Sequence, residues 1–422
     1  MQNNKRILFI SSANPTKGSG VIGMNMYHAF KEKKYEVDFL TLYKVPFRDD
    51  IKFIYKKPSR IKNFLQKIKK KFCKFPLANY YFFYKKEVQP PVKVSKILNV
   101  VGDNYDLVFI YFWQGLLSFQ TIDKLYDKLK CSFVFLCADF SPMSGGCHFT
   151  GNCQRYKNGC GCCPAFKSDN PNDFTHWNVL YREKIYDKVK PVLLANTYMI
   201  EYFFKHSYLL KEQKCLVTNG TLNLDKFKPF DPTCLYKKFN ISDEKRYVIS
   251  FGSQSLTDER KGMVYLLEAL DKVYELMTEQ ERSQTLIMFV GKNGEQIVPQ
   301  IKFESRDLGF ISSDELPAFY SVSTLFLCAS VNDAGPSMLK QSVACGTPIV
   351  AFEMGSALDI LKQGNNNGYC AKLRDSQDLA TGILTIIRML PSKYRIMRND
   401  CRKWAIENCS LTSFMKLVEN TF

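Results

Sequence analysis

The chain of 422 residues is 45% hydrophobic and 24% charged, an ordinary globular composition that excludes a disordered, collagen-like or coiled-coil protein. Its length predicts two domains of roughly 200 residues each. The 59 Lys and Arg residues outnumber the 41 Asp and Glu residues, and the formal net charge of +18 predicts an acidic partner: nucleic acid, an anionic membrane surface or a phosphorylated ligand.

Fifteen cysteines in a chain of this length do not indicate a small secreted disulfide framework, and four histidines leave little material for a His-rich metal site. The apolar run at residues 7–10 is shorter than the roughly 7–15 residues of a signal-peptide core and far shorter than the roughly 20 residues of a membrane span. We therefore expect a cytoplasmic protein in which most cysteines are free thiols.

Short runs rich in β-branched and aromatic residues alternate with helix-length amphipathic segments. Continuously apolar runs are typical of strands that are covered on both faces, as in parallel sheets. This order predicts an α/β protein with two doubly wound, Rossmann-like domains. The predicted strands are residues 7–10, 37–42, 107–111, 133–136, 192–195, 248–251, 286–290, 325–328 and 349–352.

We place the domain boundary in the polar, proline-bearing stretch at residues 229–244. Residues 1–235 then form the N-terminal domain and residues 236–394 the C-terminal domain. Residues 395–422 are expected to be helical and to pack back on the first domain.

A glycine cluster, Gly18-Ser-Gly20-Val-Ile-Gly23, follows the first predicted strand. It fits the pattern G-x-G-x-x-G, but it begins well after the strand, and the second strand does not end in the acid that would bind a ribose. A dinucleotide fingerprint is therefore disfavoured. Two interpretations remain: amides near Gly20 that bind an anion at a helix N-terminus, and a simple turn.

The positive charge is concentrated in residues 52–75, which hold ten basic side chains and no acidic one. Apolar residues recur at 3-, 4- and 7-residue intervals between Ile61 and Phe75, which predicts an amphipathic helix with one cationic face. This pattern favours binding to an anionic membrane leaflet. The alternative is a solvated face on an ordinary core-packing helix.

A Cys-rich insertion at residues 140–165 follows the strand predicted at 133–136. It holds five cysteines, and four of them have the spacing C-x5-C-x6-C-x2-C if Cys162 is passed over. The last pair, Cys160 and Cys163, has a spacing typical of zinc ligands. A structural Zn²⁺, free thiols and a disulfide are the three interpretations that this spacing leaves open. The four candidate ligands are Cys147, Cys153, Cys160 and Cys163.

Two loops in the second half carry residues suited to a phosphorylated ligand, and both follow strands at the edge where ligands bind in open α/β folds. In the first loop, Gly252 and Ser253 end a strand, and Arg260 and Lys261 precede a helix. These two cations can bind a phosphorylated ligand. The alternative is a surface Arg–Lys pair.

The second loop begins at Asp333 and continues through Pro336 into a helix predicted over residues 337–344. The amides at Ser337 can face a phosphate. Asp333 and Gln341 are eight residues apart, a spacing that can place two polar side chains near the hydroxyls of a sugar and a ribose.

These motifs resemble retaining GT-B glycosyltransferases of the family 4 type, which transfer a sugar from a nucleotide-sugar donor, and the match runs through most of the chain. The family's E-x7-E element aligns with Asp333 and Gln341, so both acids are replaced here. The Gly-Thr-Pro that follows it aligns with residues 346–348. The resemblance implies that two Rossmann-like domains face a cleft, with Asp333 on the donor sugar, Gln341 on the ribose and Lys261 on the diphosphate.

The resemblance also implies a set of roles. The expected catalytic residues are Asp333, Lys261 and Asp139, although Asp139 could equally cap a turn or a helix. The expected donor-binding residues are Gly20, Gly252, Ser253, Arg260, Lys261, Pro336, Ser337 and Gln341. The expected acceptor-side residues are Asp139, Asn196 and Asn219.

From this resemblance we expect a UDP- or GDP-sugar donor, a saccharide or polyprenyl-linked acceptor, and a role in cell-surface polysaccharide synthesis at the inner face of the membrane. No cofactor is expected to be required for catalysis, and no nucleic acid is expected as a partner. Two alternatives are kept: a nucleic-acid-binding protein with a zinc-ribbon-like Cys cluster, and a catalytically inactive scaffold of the same family.

Overall fold

The computed structural model describes residues 5–16, 18, 20–57, 91–362 and 364–422, which divide into two compact units. The first unit holds the described residues up to Asn196, together with residues 200–221 and 414–422. The second unit holds residues 197–199 and the described residues of 222–413.

The first unit is built on a seven-stranded parallel sheet with the strand order β3-β2-β1-β4-β5-β6-β7. Its strands are β1 (Arg6–Ser11), β2 (Glu36–Tyr43), β3 (Lys52–Tyr55), β4 (Leu107–Tyr111), β5 (Ser132–Cys137), β6 (Val192–Ala195) and β7 (Cys215–Val217). The intervening helices are α1 (Gly20–Glu32), α2 (Val94–Val101), α3 (Phe119–Leu129), α4 (Phe174–Val189) and α5 (Tyr198–Lys205). All five residues of the central strand β4 are buried, as expected of a strand covered on both faces.

The second unit contains a six-stranded parallel sheet with the order β10-β9-β8-β11-β12-β13. Its strands are β8 (Tyr247–Ser255), β9 (Thr285–Lys292), β10 (Glu304–Asp307), β11 (Leu325–Cys328), β12 (Ile349–Phe352) and β13 (Gly368–Ala371). The helices are α6 (Pro232–Lys238), α7 (Met263–Leu276), α8 (Glu279–Ser283), α9 (Leu316–Val322), α10 (Ser337–Ala344), α11 (Ser356–Ile360), α12 (Ser376–Ile387) and α13 (Pro391–Cys409). A last helix, α14 (Leu411–Glu419), follows it.

The predicted fold class is confirmed, because both sheets are parallel and each is built from strands joined by helical crossovers. Every predicted strand is present. The strands that the sequence analysis did not predict are β3, β7, β10 and β13, and these are the outer strands of the two sheets.

The structure places the boundary between the units earlier than the predicted 235/236. Leu222 donates a backbone hydrogen bond to the carbonyl of Cys409 (2.9 Å), and Phe227 is buried in the core of the second unit. These apolar side chains precede the proline-bearing stretch, so their burial assigns the segment to the second unit.

The C-terminal residues divide between the two units, whereas the sequence analysis assigned residues 395–422 to the first. On α13, Cys401, Ala405 and Cys409 are buried in the second core. Only residues 414–422 belong to the first unit, where the rings of Phe414 and Phe30 meet edge to face at 5.9 Å. The single helical stretch read from the sequence therefore has its apolar groups in two cores.

The basic segment predicted as a helix begins differently in the structure, because Lys52–Tyr55 form the edge strand β3. The apolar stripe from Ile61 to Phe75 lies outside the described residues. Within the described residues, no helix is both long enough and apolar enough to cross a membrane.

Candidate active site

Two loops of the second unit run side by side at the carboxyl ends of the neighbouring strands β8 and β11. The backbone N–H of Val331 donates to the carbonyl of Arg260 (2.8 Å), which ties the loops together. Because β8 and β11 pair in parallel, their carboxyl ends meet at one edge of the sheet, the edge where open α/β folds bind ligands.

An ion pair joins these two loops. Lys261 Nζ lies 2.5 Å from Asp333 Oδ2, and the two side chains are largely shielded from solvent, at 22% and 12% exposure. Burial alone would lower the pKa of Lys261, but the Asp333 carboxylate outweighs it and the pKa is raised. Burial opposes ionisation of Asp333 too, yet Lys261 and the backbone N–H of Gly335 (3.0 Å) hold its pKa below the usual range. Both groups are therefore charged at neutral pH.

Arg260 supplies a second cation beside this pair. Its guanidinium donates to Asp258 Oδ2 (2.6 Å), and its backbone N–H donates to Asp258 Oδ1 (3.1 Å). Nη1 of the guanidinium also donates to the carbonyl of Asn332 (3.4 Å). These contacts orient the guanidinium toward the second loop, where an anionic ligand could meet both Arg260 and Lys261.

Near the end of strand β8, the position of Gly252 has no room for a side chain. A Cβ on Gly252 would lie 2.5 Å from Val290 Cγ2 and 2.9 Å from Met338 Cε, and both distances are shorter than real Cβ contacts. The hydroxyl of the next residue, Ser253, donates to the carbonyl of Ser255 (2.6 Å). Gly252 thus allows β8 to approach the first turn of α10 closely.

Helix α10 begins at Ser337, which is exposed, and is preceded by Pro336, whose side chain has no acceptor with which to cap the helix. Its first amides can face an anion. Further along α10, Gln341 Oε1 accepts a hydrogen bond from the buried hydroxyl of Tyr320 (2.9 Å). Tyr320 is a partner that the sequence analysis did not identify.

A buried acid lies close to α10. Asp359 on α11 is 5% exposed, and its Oδ1 accepts from the backbone N–H of Tyr198 (3.2 Å). Burial raises the pKa of Asp359 to about 6, although the positive charge of Lys340 opposes that shift. Burial lowers the pKa of Lys340.

We expect Asp359 to make folding pH-dependent. Its folded pKa of about 6 exceeds the ordinary 3.8, so between these values the native state binds more protons than the unfolded state. Its contribution to the free energy of unfolding should therefore fall as the pH rises from about 4 to about 6, by at most about 3 kcal/mol. Thermal unfolding of the wild type and of Asp359→Asn at pH 4–7 measures this difference. Parallel pH profiles for the two proteins would contradict it.

In the first unit, Asp139 follows strand β5 and is 4% exposed. Its Oδ2 lies 3.0 Å from Nδ1 of His148, and its Oδ1 accepts from the backbone N–H of Ser141 (2.7 Å). The contact with Ser141 is the turn cap that the sequence left as an alternative. His148 was not among the predicted site residues, and its only signal in the sequence was a position within the Cys-rich insertion.

Asn196 and Asn219 follow the neighbouring strands β6 and β7, at the same edge as Asp139. The backbone N–H of Asn196 donates to the carbonyl of Cys137 (3.0 Å), and Asn196 Oδ1 lies 2.9 Å from the point that a Cβ on Gly220 would occupy. The structure thus brings the three predicted acceptor-side residues to adjacent strand ends of one sheet.

Gly20 is the first residue of α1 in the first unit, and a Cβ there would lie 2.0 Å from the carbonyl oxygen of Asn14. Its own carbonyl accepts from the hydroxyl of Tyr111 (3.1 Å). The remaining predicted donor-binding residues belong to the second unit.

The four predicted metal-ligating cysteines line one small cavity in the first unit, whereas Cys162 does not contribute to it. All four are free thiols. Within the part of the chain that the structure describes, no three His, Cys, Asp or Glu side chains already form a group that could hold a metal ion.

The loops that follow β8 and β11 lie within a stretch of the chain that matches a known protein family. Residues 235–405 match the family described as "Glycosyl transferases group 1", and this stretch includes Gly252, Arg260, Lys261, Asp333 and Gln341. An uncharacterized glycosyltransferase of Methanocaldococcus jannaschii, MJ1607, is 21% identical over 193 residues. That match covers 44% of this chain and about half of the relative, 47% of its length.

Solved structures with the same fold cover nearly the whole chain. The sucrose-phosphate synthase of Thermosynechococcus elongatus has a TM-score of 0.68 at 14% identity, and Anabaena HepE in complex with UDP and glucose has 0.66 at 15%. Staphylococcus aureus TarM, in a complex with fondaparinux, alpha-GlcNAc-glycerol and UDP, has 0.58 at 11%. Each alignment covers 99% of both chains. At these identities the likeness establishes the fold alone.

Proposed function

We propose that this protein is a glycosyltransferase that uses a nucleotide-sugar donor, because residues 235–405 match the glycosyl transferases group 1 family and the chain has the GT-B fold. The observation that carries the proposal is the Lys261–Asp333 pair, which lies beside Arg260 at the carboxyl edge of a parallel sheet. This edge combines two fixed cations with a carboxylate, which are the groups that a sugar diphosphate requires.

The two cations would bind the diphosphate of the donor. When the bond between the sugar and the diphosphate breaks, negative charge develops on the leaving oxygen, and a positive charge held in place beforehand stabilises it. Asp333 keeps Lys261 protonated, and Asp258 orients Arg260. The N-terminal amides of α10 at Ser337 would contribute partial positive charge to the same anion.

Asp333 would also bind the donor sugar. Its Oδ1 and Oδ2 are engaged by Gly335 and Lys261, but a carboxylate has about four acceptor positions and can also accept from a sugar hydroxyl. Gln341, held by Tyr320, would contact the ribose, and Gly252 and Ser253 would let the nucleotide approach the strand end. We further propose retention of configuration, with the acceptor attacking from the face that the diphosphate leaves.

The donor is proposed to be a UDP- or GDP-sugar. Support for the uridine nucleotide comes from HepE and TarM, which share the fold and whose structures contain UDP. The acceptor is proposed to be a saccharide or a polyprenyl-linked saccharide bound by the first unit, where Asp139, Asn196 and Asn219 offer polar groups at adjacent strand ends.

Synthesis of a cell-surface polysaccharide at the inner face of the membrane is the proposed setting. Its support is the charge of residues 52–75, where ten basic residues occur without an acidic one.

If the basic segment binds an anionic membrane, an acceptor presented in vesicles with anionic lipid should be glycosylated faster than the same acceptor in neutral vesicles.

A panel of nucleotides and nucleotide sugars tests the proposed function. UDP or GDP, and one of their sugars, should raise the thermal midpoint, because a ligand at 100 times its Kd stabilises the native state by about 2.7 kcal/mol. The nucleotide sugar that binds should then be consumed when an acceptor is added. Asp333→Asn should slow that turnover, whereas Asp271→Asn, on the exposed surface of the same unit, should not. Failure of every nucleotide sugar to bind or react would refute the enzymatic function.

A further inference from the structure

The Cys-rich insertion encloses a cavity that the proposed transfer reaction does not use. Its volume is about 20 Å³, enough for one water-sized occupant, and its walls include Cys147, Cys153, Cys160 and Cys163. These cysteines are separated by up to 16 residues in the sequence, so the fold of the insertion is what brings the four residues to the wall of one cavity.

The backbone at residues 159–162, just before Cys163, forms a tight turn. Gly159, Cys160, Gly161 and Cys162 all have positive φ angles, of 84°, 61°, 85° and 42°. Cysteine rarely adopts this conformation, and such strain persists where the surrounding structure holds it in place. Here the N–H of Gly161 donates to Thr175 Oγ1 (3.1 Å).

A backbone donor points at one of the sulfur atoms. The N–H of Gly145 donates to Cys160 Sγ (3.3 Å). A hydrogen bond of this kind stabilises a metal-bound thiolate, which carries negative charge. The insertion therefore supplies a backbone donor to one of the four candidate ligands.

A buried cation lies near the cavity as well. Arg182 on α4 is 1% exposed, and its guanidinium donates to the carbonyls of Ser141 (2.5 Å) and Ser144. Its positive charge lies close enough to act on the thiols of Cys147 and Cys160. Four thiolates around a divalent ion carry a net charge of −2, and a buried guanidinium would offset part of it.

A thiophilic metal deprotonates its cysteine ligands outright, so each thiol that binds would release its proton to solvent.

We propose that Cys147, Cys153, Cys160 and Cys163 bind one thiophilic divalent metal ion, Zn²⁺, which holds together the insertion between β5 and α4. The size of the cavity favours a single ion over a polynuclear cluster. In the described structure no three of these side chains already form a group that could hold a metal ion. Binding therefore requires the four side chains to move closer together. None of the four cysteines has a role in the proposed transfer reaction.

Metal analysis of the full-length protein tests this site. Protein purified under reducing conditions without a metal-affinity tag should contain about one zinc per chain, the occupancy of a four-cysteine site. Cys160→Ser should lose most of it. The matched control is Cys162→Ser, because Cys162 lies two residues away, does not line the cavity, and donates to the carbonyl of Asp169 (3.2 Å). That variant should keep its zinc.

A second measurement does not depend on the folding of any variant. Wild-type protein stripped of metal and titrated with Co²⁺ should develop the near-ultraviolet charge-transfer band of thiolate–cobalt bonds and the visible absorption of a tetrahedral site, and added Zn²⁺ should remove both. Wild-type protein without zinc and without a cobalt spectrum would overturn the site. Iron with acid-labile sulfide in place of zinc would overturn the single-ion form.

Discussion

Replacing Lys261 by alanine should reduce kcat/KM for sugar transfer by about 10²- to 10³-fold, the effect of removing one preorganised group that stabilises developing negative charge. Most of the loss should appear in kcat, because the proposed role of Lys261 is to stabilise the departing diphosphate. Lys302→Ala is the matched control. Lys302 belongs to the same unit and pairs with Asp271 (3.3 Å), but its side chain is 47% exposed.

Lys261→Ala also has an effect on stability, which must be separated from its effect on catalysis. Lys261→Ala leaves Asp333 shielded from solvent without its cation, and breaking a buried pair can destabilise a protein by about 3–5 kcal/mol. The double variant Lys261→Ala/Asp333→Asn removes both charges. It should regain thermal stability and remain inactive. Lys261→Arg should recover part of the activity, because it keeps the positive charge. A Lys261→Ala enzyme that transfers sugar at the wild-type rate would refute the assigned role.

Replacing Gly262 by alanine should lower the stability of the second unit and disrupt the loop that carries Arg260 and Lys261. Gly262 has a φ of +64°, and a Cβ there would lie 1.9 Å from the carbonyl oxygen of Ala329, so one of the two loops must move. The left-handed backbone alone costs about 1–2 kcal/mol for a residue with a side chain. The displacement adds to this cost and shifts Lys261, the preceding residue, away from Asp333.

Gly309→Ala separates these two effects. Gly309 has nearly the same φ, +62°, but its Cβ would meet no atom within 4 Å. This variant should show only the cost of the backbone conformation and keep its transfer activity. Gly262→Ala should have a lower thermal midpoint than Gly309→Ala and should bind nucleotide more weakly. Equal midpoints and equal nucleotide affinity for the two variants would show that the contact with Ala329 does not matter.

The inner strands of both sheets could be predicted from the sequence, and the outer strands could not. An inner strand such as β4 is paired on both sides and buried throughout, so it reads as a continuous apolar run. The outer strand β10 has the sequence Glu-Ser-Arg-Asp, and its residues are exposed or half-buried. An outer strand has one neighbouring strand and one open side, so its sequence does not have to be continuously apolar.

The candidate site was predictable in its components but not in its pairing. Lys261 and Asp333 were identified from two separate loops, and the sequence analysis assigned them to different parts of the donor. The two residues are 72 positions apart in the chain, and they meet because β8 pairs with β11. The same holds for Tyr320 and Gln341, because a buried tyrosine has no sequence pattern that reveals its partner.

The sequence by itself determined the fold class, the inner strands and the residue types available at each strand end, because hydrophobic periodicity and the glycines of turns are local properties of the chain. Only the tertiary structure decided which charges meet, which helix belongs to which core, and that four cysteines enclose one cavity. These contacts join residues far apart in the chain, and their formation depends on strand register and close packing, which no local pattern encodes.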